Sequence, residues 1–252
     1  MKKKVIILGG GIAGMSAAHE LIERGFEVHV YEQKSLAGGK ARSIPYPKTG
    51  RDGRKDLLGE HGFRFFPRFY QHVTDTMKRI PFGDNRQGVF DNLVDTTRIR
   101  LARDHKPPVD VVSRFPRSLE DLKVIFRDLF ESDLEIPPQD VEFFAERIWQ
   151  IATSCQDRRL EEYEKIGWWD YLEGSKRSKQ YQSLLVKGMT RSLVASKAEL
   201  ASTRTVGTIF FQLILDILEP GVSSDRVLNG PTSDAWLNPW LNYLQTSGVD
   251  YH

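Results

Sequence analysis

Four apolar residues, Val5-Ile6-Ile7-Leu8, run directly into Gly9-Gly10-Gly11-Ile12-Ala13-Gly14. This junction constrains the fold more than any other stretch of the chain. Three glycines in the register G-x-G-x-x-G each have a mechanical reason. The first permits a tight turn out of a strand, the second lets backbone approach a pyrophosphate, and the third lets the following helix pack close to the strand. A helix beginning there presents free N–H groups and the positive end of its dipole to phosphates. The apolar run after Met1-Lys2-Lys3-Lys4 is too short for a secretory signal core, so it reads as a buried strand.

The required context is present. Ile12 to Arg24 carries apolar and small residues at helical spacing, and Gly25 stops it. Val28-His29-Val30-Tyr31 reads as a second strand, with Glu32 at its end, about twenty residues after the glycines. Strand, helix, strand over this length is a βαβ unit, which predicts a parallel pair with a right-handed crossover. A carboxylate at Glu32 is placed to accept hydrogen bonds from ribose hydroxyls. Gly9, Gly10, Gly11, Ile12, Ala13, Gly14 and Glu32 are therefore the first candidate cofactor-binding residues.

Loop and acid serve adenine dinucleotides in general, which leaves FAD and NAD open at this point. A second glycine pair follows in Leu36-Ala37-Gly38-Gly39-Lys40-Ala41-Arg42. With it, Lys4 to Ser43 resembles the FAD fingerprint of the amine oxidase and phytoene desaturase (carotenoid desaturase-like) flavoprotein superfamily. The resemblance implies an α/β, Rossmann-like FAD-binding unit followed by a largely helical substrate-type domain. It implies that Gly38 and Gly39 bring backbone near the diphosphate and that Lys40 or Arg42 balances its charge. It extends to Gly59-Glu60-His61-Gly62-Phe63-Arg64-Phe65-Phe66, a segment that in the superfamily passes near the flavin ring. Gly59, Glu60, His61, Gly62 and Phe63 join the cofactor-binding candidates. His61 is read as a packing or hydrogen-bonding group rather than a base, because hydride transfer to a flavin needs no side-chain base. No catalytic residue is assigned.

The resemblance implies three portions: residues 1–90 for the dinucleotide, 91–235 mixed and mostly helical, and 236–252 beginning a return to the first. Relatives continue for about as long again, so the chain is expected to lack the carboxyl-terminal half of the family fold. Asn92 to Val112 reads as extended and interrupted at Pro107-Pro108. Helical stripes follow after an N-cap at Ser118, at Val141–Ile151, Leu184–Val194 and Val206–Leu218. The last is apolar nearly all round and is expected to be buried or to line an apolar cavity. Trp168-Trp169-Asp170-Tyr171-Leu172 forms an aromatic cluster.

The expected function is an FAD-dependent oxidoreductase, desaturase- or oxidase-like, acting on an apolar, carotenoid-like substrate. Three alternatives stay open: an FAD-dependent amine oxidase, a subunit that needs a second polypeptide to complete its fold, and an NAD-dependent dehydrogenase. A net charge of +2 gives no reason to expect nucleic acid. Cys155, the one cysteine, is read as a small buried apolar group; it suits a reducing compartment such as the cytoplasm, with peripheral membrane contact open for a lipid-like substrate. No metal site is expected.

Overall fold

The structure, a computed structural model, describes residues 2–62, 64–112, 136–219 and 223–252. The chain divides into two compact units, residues 2–95 with 225–252, and residues 96–224. The boundaries expected at 90/91 and 235/236 thus lie at 95/96 and 224/225. Backbone pairing explains the shift. Strand β5 (Leu93–Asp95) pairs antiparallel with β8 (Arg226–Leu228), setting Leu93 against Leu228 and Asp95 against Arg226. Both strands therefore belong to the first unit.

The first unit is built on a parallel sheet in the order β1-β2-β9. Strand β1 (Lys4–Leu8) pairs with β2 (Glu27–Tyr31) from Lys4↔Glu27 to Leu8↔Tyr31, and β2 pairs with β9 (Asp250–Tyr251) through His29↔Asp250. The predicted βαβ unit is present, with α1 (Ile12–Glu23) as its crossover helix. Side chains alternate across a strand, so Val28 and Val30 point to the face that α1 covers and are buried with Met15 and Ala18. Helix α5 (Asn238–Thr246) packs into the same core through Trp240 and Leu244. Trp236 stacks on Trp240 with ring centroids 5.7 Å apart and planes 11° apart. The core also takes Met77 from α2 (His72–Arg79).

The second unit contains the hairpin of β6 (Arg98–Arg103) and β7 (Lys106–Val112) and the helices α3 (Pro138–Thr153) and α4 (Thr203–Leu218). Pro107 and Pro108 interrupt the ladder as expected: pairing runs from Leu101↔Val109 to Arg103↔Lys106 with a register shift between them, so both prolines sit in an irregularity while the strand continues on either side. The aromatic cluster forms the core here: Trp168, Tyr171, Leu172, Tyr163 and Tyr181 are buried with Ile151 and Val206. Helix α4 is not buried all round, because Leu215 and Leu218 near its end are exposed. Residues 182–188 wind as a π-helix before an α-helical turn at 189–194, where one continuous helix was expected. Cys155 is exposed rather than buried, since it sits in the turn that opens the helical residues 156–158. The helix expected after Ser118 lies outside the described residues. No helix among the described residues is long and apolar enough to cross a membrane.

One buried polar group couples α1 to α5. His19 is wholly buried; its Nδ1 accepts from Trp240 Nε1 at 3.0 Å, and its Nε2 lies 2.8 Å from Glu23 Oε1. Because Nδ1 is an acceptor, the folded protein holds the ring neutral, and burial lowers its pKa against the opposing pull of Glu23. The unfolded chain then takes up a proton that the folded chain refuses once pH falls below about 6.5. The His19 contribution is complete above that pH and is lost on acidification toward the lowered folded value. Thermal denaturation from pH 8 downward should therefore show a steeper acid loss in wild type than in His19→Gln, which keeps an acceptor without titrating. Parallel pH profiles for the two proteins would contradict this assignment.

Candidate dinucleotide site

The site is assembled where β1 ends. Gly9, at φ +104°, donates its N–H to Tyr31 O at 2.8 Å and turns the chain out of the sheet in a conformation that disfavours side chains. Helix α1 starts at once, with Gly11 as its N-cap, no side chain capping it and no acidic residue in its first turn. Its leading N–H groups have no carbonyl one turn back, so they point outward as donors. Gly14 allows the close approach of helix to strand, because a Cβ placed there would lie 1.9 Å from Gly9 O.

The second glycine pair docks on the first. Gly38 donates its N–H to Gly10 O at 2.8 Å, and Gly11 and Gly38 form an isolated parallel bridge. A Cβ on Gly39 would come 3.1 Å from Gly11 Cα. Two glycine loops 28 residues apart thus share one backbone contact at the helix start. Glu32 is tied to the same point: its Oε2 accepts from Gly10 N at 2.7 Å and its Oε1 from Lys34 N at 3.0 Å. A carboxylate has about four acceptor sites, so capacity for hydroxyl groups remains after these two bonds. Ile12 and Ala13 form the first turn of α1, and Ala13 is exposed.

The remaining candidates divide. Lys40, Glu60, His61 and Gly62 line a cleft of about 800 Å³ together with Ile12, all within the first unit. Arg42 instead folds back on its own turn and donates to Gly39 O. Glu60 is held by protein: its Oε1 accepts from Ser43 Oγ at 2.6 Å and Thr232 N at 3.0 Å and lies 3.3 Å from Arg64. Gly59 pairs with Ile44 in the short ladder of β3 (Ile44–Pro45) and β4 (Leu58–Gly59). His61 is an exposed wall residue of the cleft. Phe63 lies outside the described residues.

Five residues that were not site candidates also take part. Thr232 and Trp236 complete the cleft wall, delivered by the π-helical turn Ser233–Leu237 that leads into α5. Ser43 and Ser233 exchange bonds, Ser43 N to Ser233 Oγ at 2.9 Å and Ser233 N to Ser43 Oγ at 3.0 Å, which anchors that turn beside the glycine loops. Tyr251, on β9, sets its hydroxyl against Gly10 and donates to Gly10 O at 3.4 Å. Burial, with the nearby Glu32 carboxylate, raises its pKa. No local pattern marks these residues, because each lies about 200 positions or more from its partner in the loops.

The sequence profile of a family described as an NAD(P)-binding Rossmann-like domain matches residues 7–80. The matched residues contain the glycine loop, α1 and β2 of the Rossmann-like βαβ unit. The chain is 37% identical over 84 residues to zeta-carotene desaturase, chloroplastic/chromoplastic, of Zea mays, a match spanning 33% of this chain and 14% of that protein. It is 54% identical over 44 residues to hydroxysqualene dehydroxylase of Sinorhizobium fredii, spanning 18% of this chain and 11% of that protein. Among solved structures, cyclohexylamine oxidase from Brevibacterium oxydans aligns with a TM-score of 0.59 at 13% identity, covering 100% of this chain and 51% of that one. An oxidoreductase from Methanosarcina mazei aligns with a TM-score of 0.58 at 14% identity, covering 99% and 50%. At such identities these structures establish the fold, and the chain spans about half their length. Carotenoid desaturases thus stand among the sequence relatives and an amine oxidase among the proteins that share the fold.

The Gly14 contact gives a direct test. Gly14→Ala forces backbone apart at the helix start, and the overpacking should cost about 1–3 kcal/mol, read as a lower urea midpoint. A wild-type midpoint would mean that helix and strand are not in contact there.

Proposed function

We propose that the chain carries the FAD-binding part of a flavin-dependent oxidoreductase. The observation that carries this reading is the docking of Gly38 on the Gly10 carbonyl beside the uncapped start of α1. It makes one cradle of two glycine loops, whereas a single loop suffices for a nicotinamide dinucleotide. The residues fit the group. The amides at the start of α1 suit a diphosphate, Glu32 suits a ribose, and the cleft beyond Ile12 has room for a flat aromatic ring among Phe65, Phe66, Phe69 and Trp236.

FAD, when bound, supplies the two-electron chemistry: it accepts a hydride equivalent from carbon. The chain's own residues bind and orient. The backbone amides neutralise phosphate charge, assisted by the exposed Lys40 at the cleft. Aromatic rings exclude water from the cleft. Glu60 and Arg64 keep the wall in place by joining residues 43, 60, 64, 230 and 232. We assign the substrate to the apolar class, carotenoid-like rather than a charged amine. Support comes from the apolar cleft lining and from the names of the sequence relatives, zeta-carotene desaturase and hydroxysqualene dehydroxylase. The oxidation then forms a carbon–carbon double bond.

A second reading, that a further polypeptide layer works with this chain, is favoured by β1. A Val-Ile-Ile-Leu run belongs in a parallel strand covered on both faces. Here Ile6 is 59% and Leu8 83% exposed, and among the described residues β1 pairs with β2 alone. If that surface receives another layer, the chain alone should self-associate in sedimentation velocity, and Leu8→Lys should reduce the association. A strictly monomeric wild type would refute it.

For the cofactor, Glu32→Ala and Gly11→Val should each weaken FAD binding by at least about tenfold, equivalent to roughly 1.4 kcal/mol. A Cβ on Gly11 meets nothing closer than 3.7 Å, so the valine variant should fold and lose its ligand through methyl groups filling the cradle. Equilibrium dialysis against FAD and against NAD decides the matter. Unchanged FAD affinity in both variants, or a preference for NAD in wild type, would overturn the reading.

A further inference from the structure

The sheet face turned away from α1 carries the residues that alternate with its buried ones. They are Ile6 and Leu8 on β1, His29 and Tyr31 on β2, and Asp250 on β9 with His252 just beyond it. The parallel register sets His29 beside Asp250, and two residues' spacing along an extended chain returns His252 to the same face. His29 Nδ1 lies 3.0 Å from Asp250 Oδ2, and His252 Nε2 lies 3.2 Å from that same oxygen. One ligand atom from each residue falls within 4.8 Å of the others. We propose that His29, Asp250 and His252 form a binding site for a divalent transition-metal ion, held through His29 Nδ1, an Asp250 oxygen and His252 Nε2.

Three observations converge on this. The donor set is two imidazoles and one carboxylate, which suits zinc and its first-row neighbours rather than magnesium or calcium. Zinc bonds to nitrogen and oxygen place adjacent donor atoms of a tetrahedron roughly 3.3 Å apart, close to the two separations seen. The second observation concerns the other nitrogen of His29. Its Nε2 lies 3.0 Å from Glu27 Oε1, and Glu27 is itself 3.3 Å from Lys4 Nζ. Metal-bound histidines nearly always give their other ring N–H to such an acceptor, which fixes the tautomer. With the proton on Nε2, the Nδ1 lone pair and the Asp250 oxygen, 3.0 Å apart, are both free to face one ion. Third, the His252 ring is oriented by stacking on Tyr31, with centroids 4.5 Å apart and planes 14° apart.

The ion's effect would be to clip β9 onto β2, joining positions 29 and 252. The same strand delivers Tyr251 to Gly10, so the clip steadies a residue of the dinucleotide site without touching the dinucleotide. The site is exposed at two of its three ligands, leaving coordination positions for water.

The test uses the full chain, freed of metal by a chelator and titrated with Co2+ and then Zn2+ near neutral pH. Wild type should develop the visible d–d bands of a nitrogen- and oxygen-ligated Co2+. Zn2+ should displace them with a dissociation constant of about 10 μM or tighter and raise the melting temperature, while Mg2+ should not. His29→Ala, Asp250→Asn and His252→Ala should each abolish the bands. Glu27→Ala should keep them and weaken affinity about 10- to 100-fold. His105→Ala, in the other unit, serves as control and should bind as wild type does. Absence of both the bands and the Zn2+-dependent melting shift in wild type would overturn the site. So would equal Co2+ affinity in wild type and His252→Ala. Circular dichroism of each variant shows that it is folded.

Discussion

The approach of α1 to β1 at Gly14 fixes the geometry of the whole first unit. A helix can come this close to the preceding turn only where no Cβ intervenes, and the space is small enough that even a methyl group would collide with Gly9 O. Once the helix is seated, its uncapped end, the Gly10 carbonyl and the Glu32 carboxylate are brought to one point. The Gly38 amide then has a single partner to find. The site follows from the packing, because the atoms that would hold a diphosphate are backbone atoms whose positions belong to the sheet and the helix. Side-chain loss elsewhere in the cleft therefore leaves the cradle standing, while a change of backbone at residues 9 to 14 does not.

What the sequence revealed and what it concealed divide along the same line. Residues 5–32 are legible because their constraints are local: an apolar run, a glycine register, a helical stripe and a carboxylate at a fixed distance. The Gly38-Gly39 pair was legible by resemblance, although its contact with Gly10 is a tertiary fact. The return of residues 236–252 to the first unit was legible by resemblance, but the contacts that Thr232, Ser233, Trp236 and Tyr251 make on arriving were not, since their partners lie far away in the sequence. Arg42 and Glu60, placed near the cofactor by resemblance, have protein partners that no motif shows: Arg42 donates to Gly39 O, and Glu60, in the cleft wall, is tied to Ser43, Arg64 and Thr232. Charge type can be read from a sequence, whereas the partner that neutralises it cannot.

Helix α4 and the strand β7 show what composition can and cannot reveal in the second unit. A helix rich in Phe, Ile and Leu suggested burial, yet its last turn is exposed at Leu215 and Leu218. Pro107-Pro108 suggested a break, and the β6–β7 register shifts there, because prolines cannot donate to a ladder. A missing backbone donor is a property of the residue, whereas neighbours are a property of the fold. The substrate class is accordingly argued from the cleft of the first unit, where Phe65, Phe66, Phe69 and Trp236 are placed, and not from the apolar content of α4.

The two faces of the β1-β2-β9 sheet pose different physical problems. One face has its solution in Met15, Ala18, Trp240 and Leu244. The other bears exposed Ile6 and Leu8 beside a polar group in which Glu27, His29, Asp250 and His252 converge. Strand β9 pairs with β2 through His29↔Asp250 and Val30↔Tyr251, and His252 extends the ladder by donating its N–H to Val30 O and accepting from Glu32 N, each at 2.8 Å. Side chains add to that short ladder. On the buried side Val249 supplies apolar contact and Tyr251 reaches Gly10. On the open side the remaining cross-strand contacts are ionic and aromatic, and they all pass through His29, Tyr31, Asp250 and His252. Those contacts contribute little while solvent screens them, whereas an ion coordinated by the same atoms would bind the two strands strongly. With the proposed ion bound, the seating of Tyr251 beside the glycine loops would be reinforced from the far side of the sheet.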